Sequence, residues 1–215
     1  MTTAALGREW PDAELQRLLD GWRVAYERPA DIADAAAEML AQDRVVAWFQ
    51  GRSEFGPRAL GRRSLLSDPR SAANLERLNQ IKGRESFRPV APMVLAERAS
   101  EIFSGHLPSP HMLFTHRVRD AWRDRIPAVV HVDGSARVQT VDRAAEPLVA
   151  ALLDAFAERT GVPVLVNTSL NTAGRPMVDD PRDALECFGS APVDVLVLGP
   201  FVVRRAALAR REEAA

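Results

Sequence analysis

The chain has 215 residues, 47% of them apolar, enough to bury one sizeable core. Its 28 basic and 29 acidic side chains leave a formal charge of −1, which argues against coating nucleic acid or membrane by bulk charge and confines anion binding to local sites. The lone cysteine, Cys187, excludes an internal disulfide framework, and the absence of a signal core or a long apolar run reads as a cytoplasmic protein without a membrane span.

Taken in chain order, PDAELQRLLDGW sets Leu15, Leu18 and Leu19 at helical spacing, and IADAAAEMLAQD continues with Ala and Leu on one face, so both read as amphipathic helices. RVVAWF at 44–49 is a strand that feeds an irregular, glycine- and proline-interrupted loop, GRSEFGPRALGRRS. SAANLERLNQI reads as a helix, MVLA as a strand, ASEIF as a helical turn, MLFTHRV as a strand and RVQTV as an alternating strand. EPLVAALLDAFAERTG places Leu148, Val149, Leu152, Leu153 and Phe156 on one helical face, with Gly161 at the C-terminal cap. The strand PVLVN, the helix PRDALECFGS and two strands in DVLVLGPFVVRR close the chain. Strands alternating with helices predict a single α/β domain. Residues 1–43 form a helical lead-in, 44–205 the domain proper and 206–215 a frayed tail.

Three stretches carry candidate chemistry. Between Gly51 and Arg88 stand nine cations (Arg52, Arg58, Arg62, Arg63, Arg70, Arg77, Lys82, Arg84, Arg88) against four acids (Glu54, Asp68, Glu76, Glu85). Glycines beside arginines let backbone N–H groups and guanidinium forks meet a phosphate together, although a solvated loop of Arg–Glu pairs has the same composition. Lys82 is the only lysine among these 28 cations, and an ammonium is a compact charge that fits where a planar fork does not. In VLVNTSLN a buried strand ends in Asn167, Thr168, Ser169 and Asn171, at the edge where open α/β sheets place ligands; an ordinary polar turn reads the same way. Ser169 has no Ser-His-Asp context and is expected to hydrogen-bond rather than attack. In HVDGSARVQT, Arg137 enters a strand directly after an Asp-Gly turn. The histidines lack metal spacing, and neither a Walker-type loop nor GxGxxG after a strand is present.

GRSEFGPRALGRRSLLSDPR, IKGRESFRPVAP, IPAVVHVDGSARVQTV, TGVPVLVNTSLN and DVLVLGPF, in this order, resemble the C-terminal domain of the NodU/TobZ-type O-carbamoyltransferases, with the likeness running from about residue 6 to about 204. The resemblance implies a YrdC-like twisted mixed sheet flanked by helices, and formation of carbamoyladenylate from ATP and carbamoyl phosphate with Mg²⁺. It places the K-x-R of Lys82 and Arg84 and the S-x-N of Ser169 and Asn171 around phosphates and acyl group as the catalytic set, and Arg58, Arg137, Asn167 and Thr168 as substrate-binding. It implies no protein metal ligand here. Arg62 and Leu170 depart from the family pattern, where Asn and Phe are usual, and Leu170 is expected to alter the pocket wall.

The family's iron-bearing, actin-like transferring domain has no counterpart in this sequence, so a separate transferring partner subunit is expected and the chain is either a natural subunit or an excised domain. A non-catalytic phosphate- or RNA-binding module and a regulatory subunit are the other readings. Balanced charge and few aromatics beside the basic segment, Phe55 and Phe87 only, count against nucleic acid.

Overall fold

The structure is a computed structural model that describes residues 3–205; the expected tail at 206–215 lies outside the described residues. Its helices are α1 (Asp12–Gly21), α2 (Ile32–Ala41), α3 (Ala73–Ile81), α4 (Ala99–Ile102), α5 (Asp120–Arg123), α6 (Pro147–Thr160) and α7 (Pro181–Ser190). Strands are β1 (Val46–Phe49), β2 (Arg63–Ser67), β3 (Ala91–Leu95), β4 (Phe103–Ser104), β5 (Thr115–Val118), β6 (Ser135–Arg137), β7 (Gln139–Val141), β8 (Val164–Ser169), β9 (Val195–Leu198) and β10 (Phe201–Arg204). Seven strands form the main sheet in the order β10-β9-β1-β2-β8-β3-β7, and β4-β5-β6 form a small antiparallel sheet. In the main sheet β1 runs parallel to β9 and β3 parallel to β7, while the other pairs are antiparallel. This is the expected mixed α/β sheet in one domain.

Helix periodicity is converted into burial as the leucine spacing requires. Leu15 and Leu19 of α1, Ala36, Ala37 and Leu40 of α2, and Leu152, Leu153 and Phe156 of α6 all enter one continuous core. α2 lies against α6, so residues from the helical lead-in share the core of the rest. Gly161 closes α6 with φ +71°, a backbone conformation that favours glycine. Among the described residues no helix is long and apolar enough to cross a membrane.

Three expectations are corrected. The end of the GRSEFGPRALGRRS loop is not irregular: Arg63–Ser67 is β2, buried along its whole length between β1 and β8. RVQTV is not one alternating strand, because β6 ends at Arg137 in the small sheet and β7 begins at Gln139 in the main one, where all three residues are buried. Val138, fully buried, is the joint between the two sheets. The MLFTHRV strand is also shorter than expected, beginning at Thr115.

Arg63 explains why β2 was hidden. Its side chain is 0% exposed, lies 3.6 Å from the Phe49 ring centroid, and donates to the carbonyls of Gln50 (2.8 Å) and Gly51 (3.0 Å). A guanidinium in the sheet interior survives because carbonyls and an aromatic face replace water. Arg63→Met keeps the volume but strands those carbonyls, and is expected to cost about 3 kcal/mol of stability, read as a lower urea midpoint at unchanged m-value.

Candidate active site

β8 lies between β2 and β3, with Asn167 opposite Leu66 and Ala91, so the polar NTS run emerges at the carboxyl end of a central strand. Two loops come together there, one following β1 and the other following α3.

The loop after β1 is held from behind by Glu54. Its carboxylate is buried and accepts from the backbone N–H of Leu60 (2.7 Å), Arg62 (2.8 Å) and Arg63 (3.2 Å). Burial raises the Glu54 pKa, and the backbone donors oppose that rise. The loop after α3 is set by Gly83. Its φ of +53° lets Arg84 N–H reach back to Asn79 O (3.0 Å) and ends the helix, and a Cβ at this position would lie 2.7 Å from Ala173 Cβ. Only glycine therefore fits between Lys82 and Arg84.

Lys82 is 7% exposed, and its Nζ donates to Ser169 O (2.6 Å), Ser169 Oγ (3.0 Å) and Asn171 Oδ1 (2.5 Å). Ser169 Oγ in turn donates to Asn171 Oδ1 (2.7 Å), whose amide nitrogen is tied to Arg175 O (2.7 Å). The lysine of K-x-R and the S-x-N motif, 87 residues apart, are thus one hydrogen-bonded unit. Burial lowers the Lys82 pKa to about 7, with Arg84 adding repulsion and Cys187 opposing it.

Beside this unit opens a cleft lined by Arg58, Arg84, Met112, Arg137, Asn167, Thr168 and Ser169 among others, and by no carboxylate. Arg58 Nε, Arg84 Nη2 and Arg137 Nε are shielded from solvent without a hydrogen-bond partner. Burial lowers the pKa of Arg84, with Arg88 and Arg137 adding to it, and that of Arg137, with Arg58 adding to it. Arg84 is aimed by Asn79, whose Oδ1 accepts from its Nε (2.5 Å) while Nδ2 clamps the carbonyls of Ser86 and Arg88. Unpaired guanidinium N–H groups in a cleft free of acid are a receptor for an anion with several oxygens.

Six of the eight residues singled out from the sequence, Arg58, Arg84, Arg137, Asn167, Thr168 and Ser169, line the cleft, and Lys82 and Asn171 are hydrogen-bonded to Ser169 behind it. The other cations of the basic segment have partners elsewhere. Arg62 pairs with Glu146 (2.7 Å), Arg70 with Asp68 (2.6 Å), Arg77 with Asp194 (2.5 Å) and Arg88 with Glu85 (3.6 Å), while Arg52 donates to the Gly7 carbonyl and Arg63 is interior to the sheet. Leu170 is fully buried in the core rather than lining the cleft, which corrects the expectation that it alters the pocket wall. Glu54, Asn79 and Gln139 were missed by reading the sequence. Only the position of Glu54 inside the arginine-rich loop hinted at a role.

The family model described as Carbamoyltransferase C-terminus matches residues 37–205. Nodulation protein NolO of Bradyrhizobium diazoefficiens is 47% identical over 193 residues, covering 87% of this chain and 35% of that protein. Nodulation protein U of Sinorhizobium fredii is 46% identical over 165 residues, covering 77% of this chain and 29% of that protein. The chain thus spans about a third of the length of the curated relatives it matches. Among solved structures, full-length HypF in its phosphate- and nucleotide-bound form superposes with a TM-score of 0.56 at 18% identity, covering 81% of this chain and 22% of that one. Sua5 of P. abyssi complexed with L-threonine gives 0.54 at 15% identity, covering 78% and 46%. These two likenesses establish the YrdC-like fold, and the sequence match establishes the family: the chain belongs to the carbamoyltransferases, as their C-terminal domain.

Proposed function

We propose that this domain forms carbamoyladenylate from ATP and carbamoyl phosphate. The observation that carries the reading is the acid-free cleft in which Arg58, Arg84 and Arg137 hold unpartnered N–H groups beside the Lys82–Ser169–Asn171 unit. Bringing two polyanions together requires a concentrated, pre-aimed positive field, and this cleft supplies one. That HypF, which shares the fold, is described with phosphate and nucleotide bound supports the same reading.

The chemistry balances without a protein nucleophile. Carbamoyl phosphate and water yield carbamate and phosphate, and a carbamate oxygen then attacks the α-phosphorus of ATP, giving carbamoyladenylate and pyrophosphate. Arg58 and Arg137 hold the acyl phosphate, while Arg84 holds the nucleotide phosphates and the Lys82 ammonium, its donors engaged by Ser169 and Asn171, adds its charge. Mg²⁺ arrives with ATP as part of that substrate. Ser169, whose hydroxyl proton is directed to Asn171 Oδ1, fixes the ammonium rather than attacking. Passage of the carbamoyl group to a hydroxyl acceptor belongs to a transferring domain or subunit, of the actin-like fold with its bound iron, in keeping with relatives about three times as long.

Purified protein given MgATP and carbamoyl phosphate is expected to release pyrophosphate, and Lys82→Ala to slow release by roughly 10²–10³-fold with an unchanged melting curve. Absence of pyrophosphate from the wild type, with the transferring partner also present, would remove the catalytic reading. Steeply salt-dependent RNA binding without turnover would put a nucleic-acid module in its place.

The lowered Lys82 pKa makes nucleotide binding proton-linked. With a pKa of about 7 the free side chain is largely neutral at pH 8.5, and phosphates beside it favour the ammonium, so binding draws a proton from solution. Below pH 6 the ammonium is already formed and nothing is taken up. Calorimetry at about pH 8.5 in two buffers of different ionisation enthalpy is expected to show uptake approaching one proton per MgATP, vanishing at about pH 6 and in Lys82→Ala. Equal uptake in the variant would assign the proton to another group.

A further inference from the structure

The side chains lining the arginine cleft offer guanidinium donors, two hydroxyls and one amide, that of Asn167. Asn167 is 0% exposed, and its Oδ1 has no hydrogen-bond partner. The orientation of the amide is fixed. Nδ2 donates to Gln139 Oε1 (2.6 Å) and to Ala59 O (3.1 Å), so a flipped amide would set oxygen against two oxygens. Gln139 is fixed in turn, because its own Nε2 donates to Leu60 O (2.8 Å). The carbonyls of Ala59 and Leu60 belong to the loop that carries Arg58, and Glu54 holds the Leu60 N–H from behind. One buried acceptor is therefore locked in place at the wall of a site otherwise furnished for anions.

A carbonyl oxygen repels the oxygens of a phosphate or carboxylate, so it does not serve the anionic part of a ligand. Unpaired and buried, it carries a penalty until a donor meets it. The part of the ligand that reaches Asn167 must carry an N–H or O–H while its anionic part rests on the arginines. A carbamoyl group has both ends in one small molecule, an NH₂ on one side of the carbonyl carbon and a phosphate ester or carbamate oxygen on the other.

Resting on the substrate reading above, we infer that Asn167 Oδ1 accepts a hydrogen bond from the carbamoyl NH₂ and selects carbamoyl over acyl groups that carry a methyl in its place. Acetyl phosphate is the matching probe: it has the same charge and nearly the same shape, with CH₃ where carbamoyl phosphate has NH₂. Sites built to pair a substrate N–H discriminate strongly against the analogue that lacks it, because the protein acceptor is then left unpaired.

The test compares the affinities of carbamoyl phosphate and acetyl phosphate by calorimetry, alongside pyrophosphate release. Wild type is expected to favour carbamoyl phosphate by roughly 10–100-fold, the usual penalty for a stranded acceptor, and Asn167→Leu to bring that ratio below about threefold. Asn167→Asp is no control, because its second oxygen would face Gln139 Oε1 and Ala59 O. Asn167→Ala removes the acceptor with a smaller side chain, is expected to bring the ratio below about threefold as well, and decides alone if Asn167→Leu does not fold. A wild type without preference, or an unchanged ratio in the folded variant, overturns the inference. The two readings separate cleanly: an Asn167-dependent binding preference without pyrophosphate sinks only the catalytic proposal, whereas pyrophosphate release with an Asn167-independent ratio sinks only this one.

Discussion

Mutual repulsion among Arg58, Arg84, Arg137 and Lys82 is the constraint on which the rest of the site depends. Burial and neighbouring cations lower the pKa of Arg84, Arg137 and Lys82, so the fold holds charge where water and counter-ions are both scarce. Such a cluster persists only if its members are fixed by groups that do not neutralise them. The structure meets that condition with neutral acceptors: Asn79 for Arg84, and the carbonyl, hydroxyl and amide oxygens of Ser169 and Asn171 for Lys82. Carboxylates are spent on the cations outside the cleft, where Glu146, Asp68 and Asp194 tie down Arg62, Arg70 and Arg77. Sorting nine cations into paired scaffold and unpaired receptor separates the two uses of arginine in this chain.

Glu54 follows this division by where it points. Glu54 spends its oxygens on the backbone N–H groups of Leu60, Arg62 and Arg63, shaping the arginine loop without lining the cleft. From the opposite side Asn167 and Gln139 grip the carbonyls of Ala59 and Leu60. The segment 59–63 is thereby held through its donors by Glu54 and Ser64 and through its acceptors by Asn167, Gln139 and Trp48, and no regular secondary structure is needed at 59–62 to fix it. The position of Arg58 is a consequence of this backbone scaffolding rather than of any contact made by its own charge.

Much of this order was legible before the fold was known, and the exceptions share a cause. Helices α1, α2, α3, α6 and α7 and strands β1, β8, β9 and β10 follow from apolar spacing, because each buries a face in a way that period alone reveals. β2 did not, since an arginine and two serines in RSLLS read as loop while the structure buries all five residues. The break between β6 and β7 was equally hidden, because moving from one sheet to another at Val138 leaves no glycine or proline behind. The charged members of the site were visible as composition and motif. Asn79 and Gln139 were not, because a buried amide is distinguished only by what it bonds to, and that partner is set by tertiary structure.

The single lysine gains a physical reason from the same geometry. Four acceptors surround Lys82 Nζ, Ser169 O, Ser169 Oγ, Asn171 Oδ1 and, at 3.5 Å, Asn171 O, and an ammonium directs its three donors among them from one compact centre. A guanidinium spreads its donors over a plane and does not direct them at these acceptors from one centre. Protonation adds a second reason. Arginine stays charged throughout the physiological range, whereas burial lowers this lysine to about 7, where it can release its proton. Among cations that keep their charge, Lys82 is the one whose loss or gain of a proton relieves or restores the repulsion with Arg84.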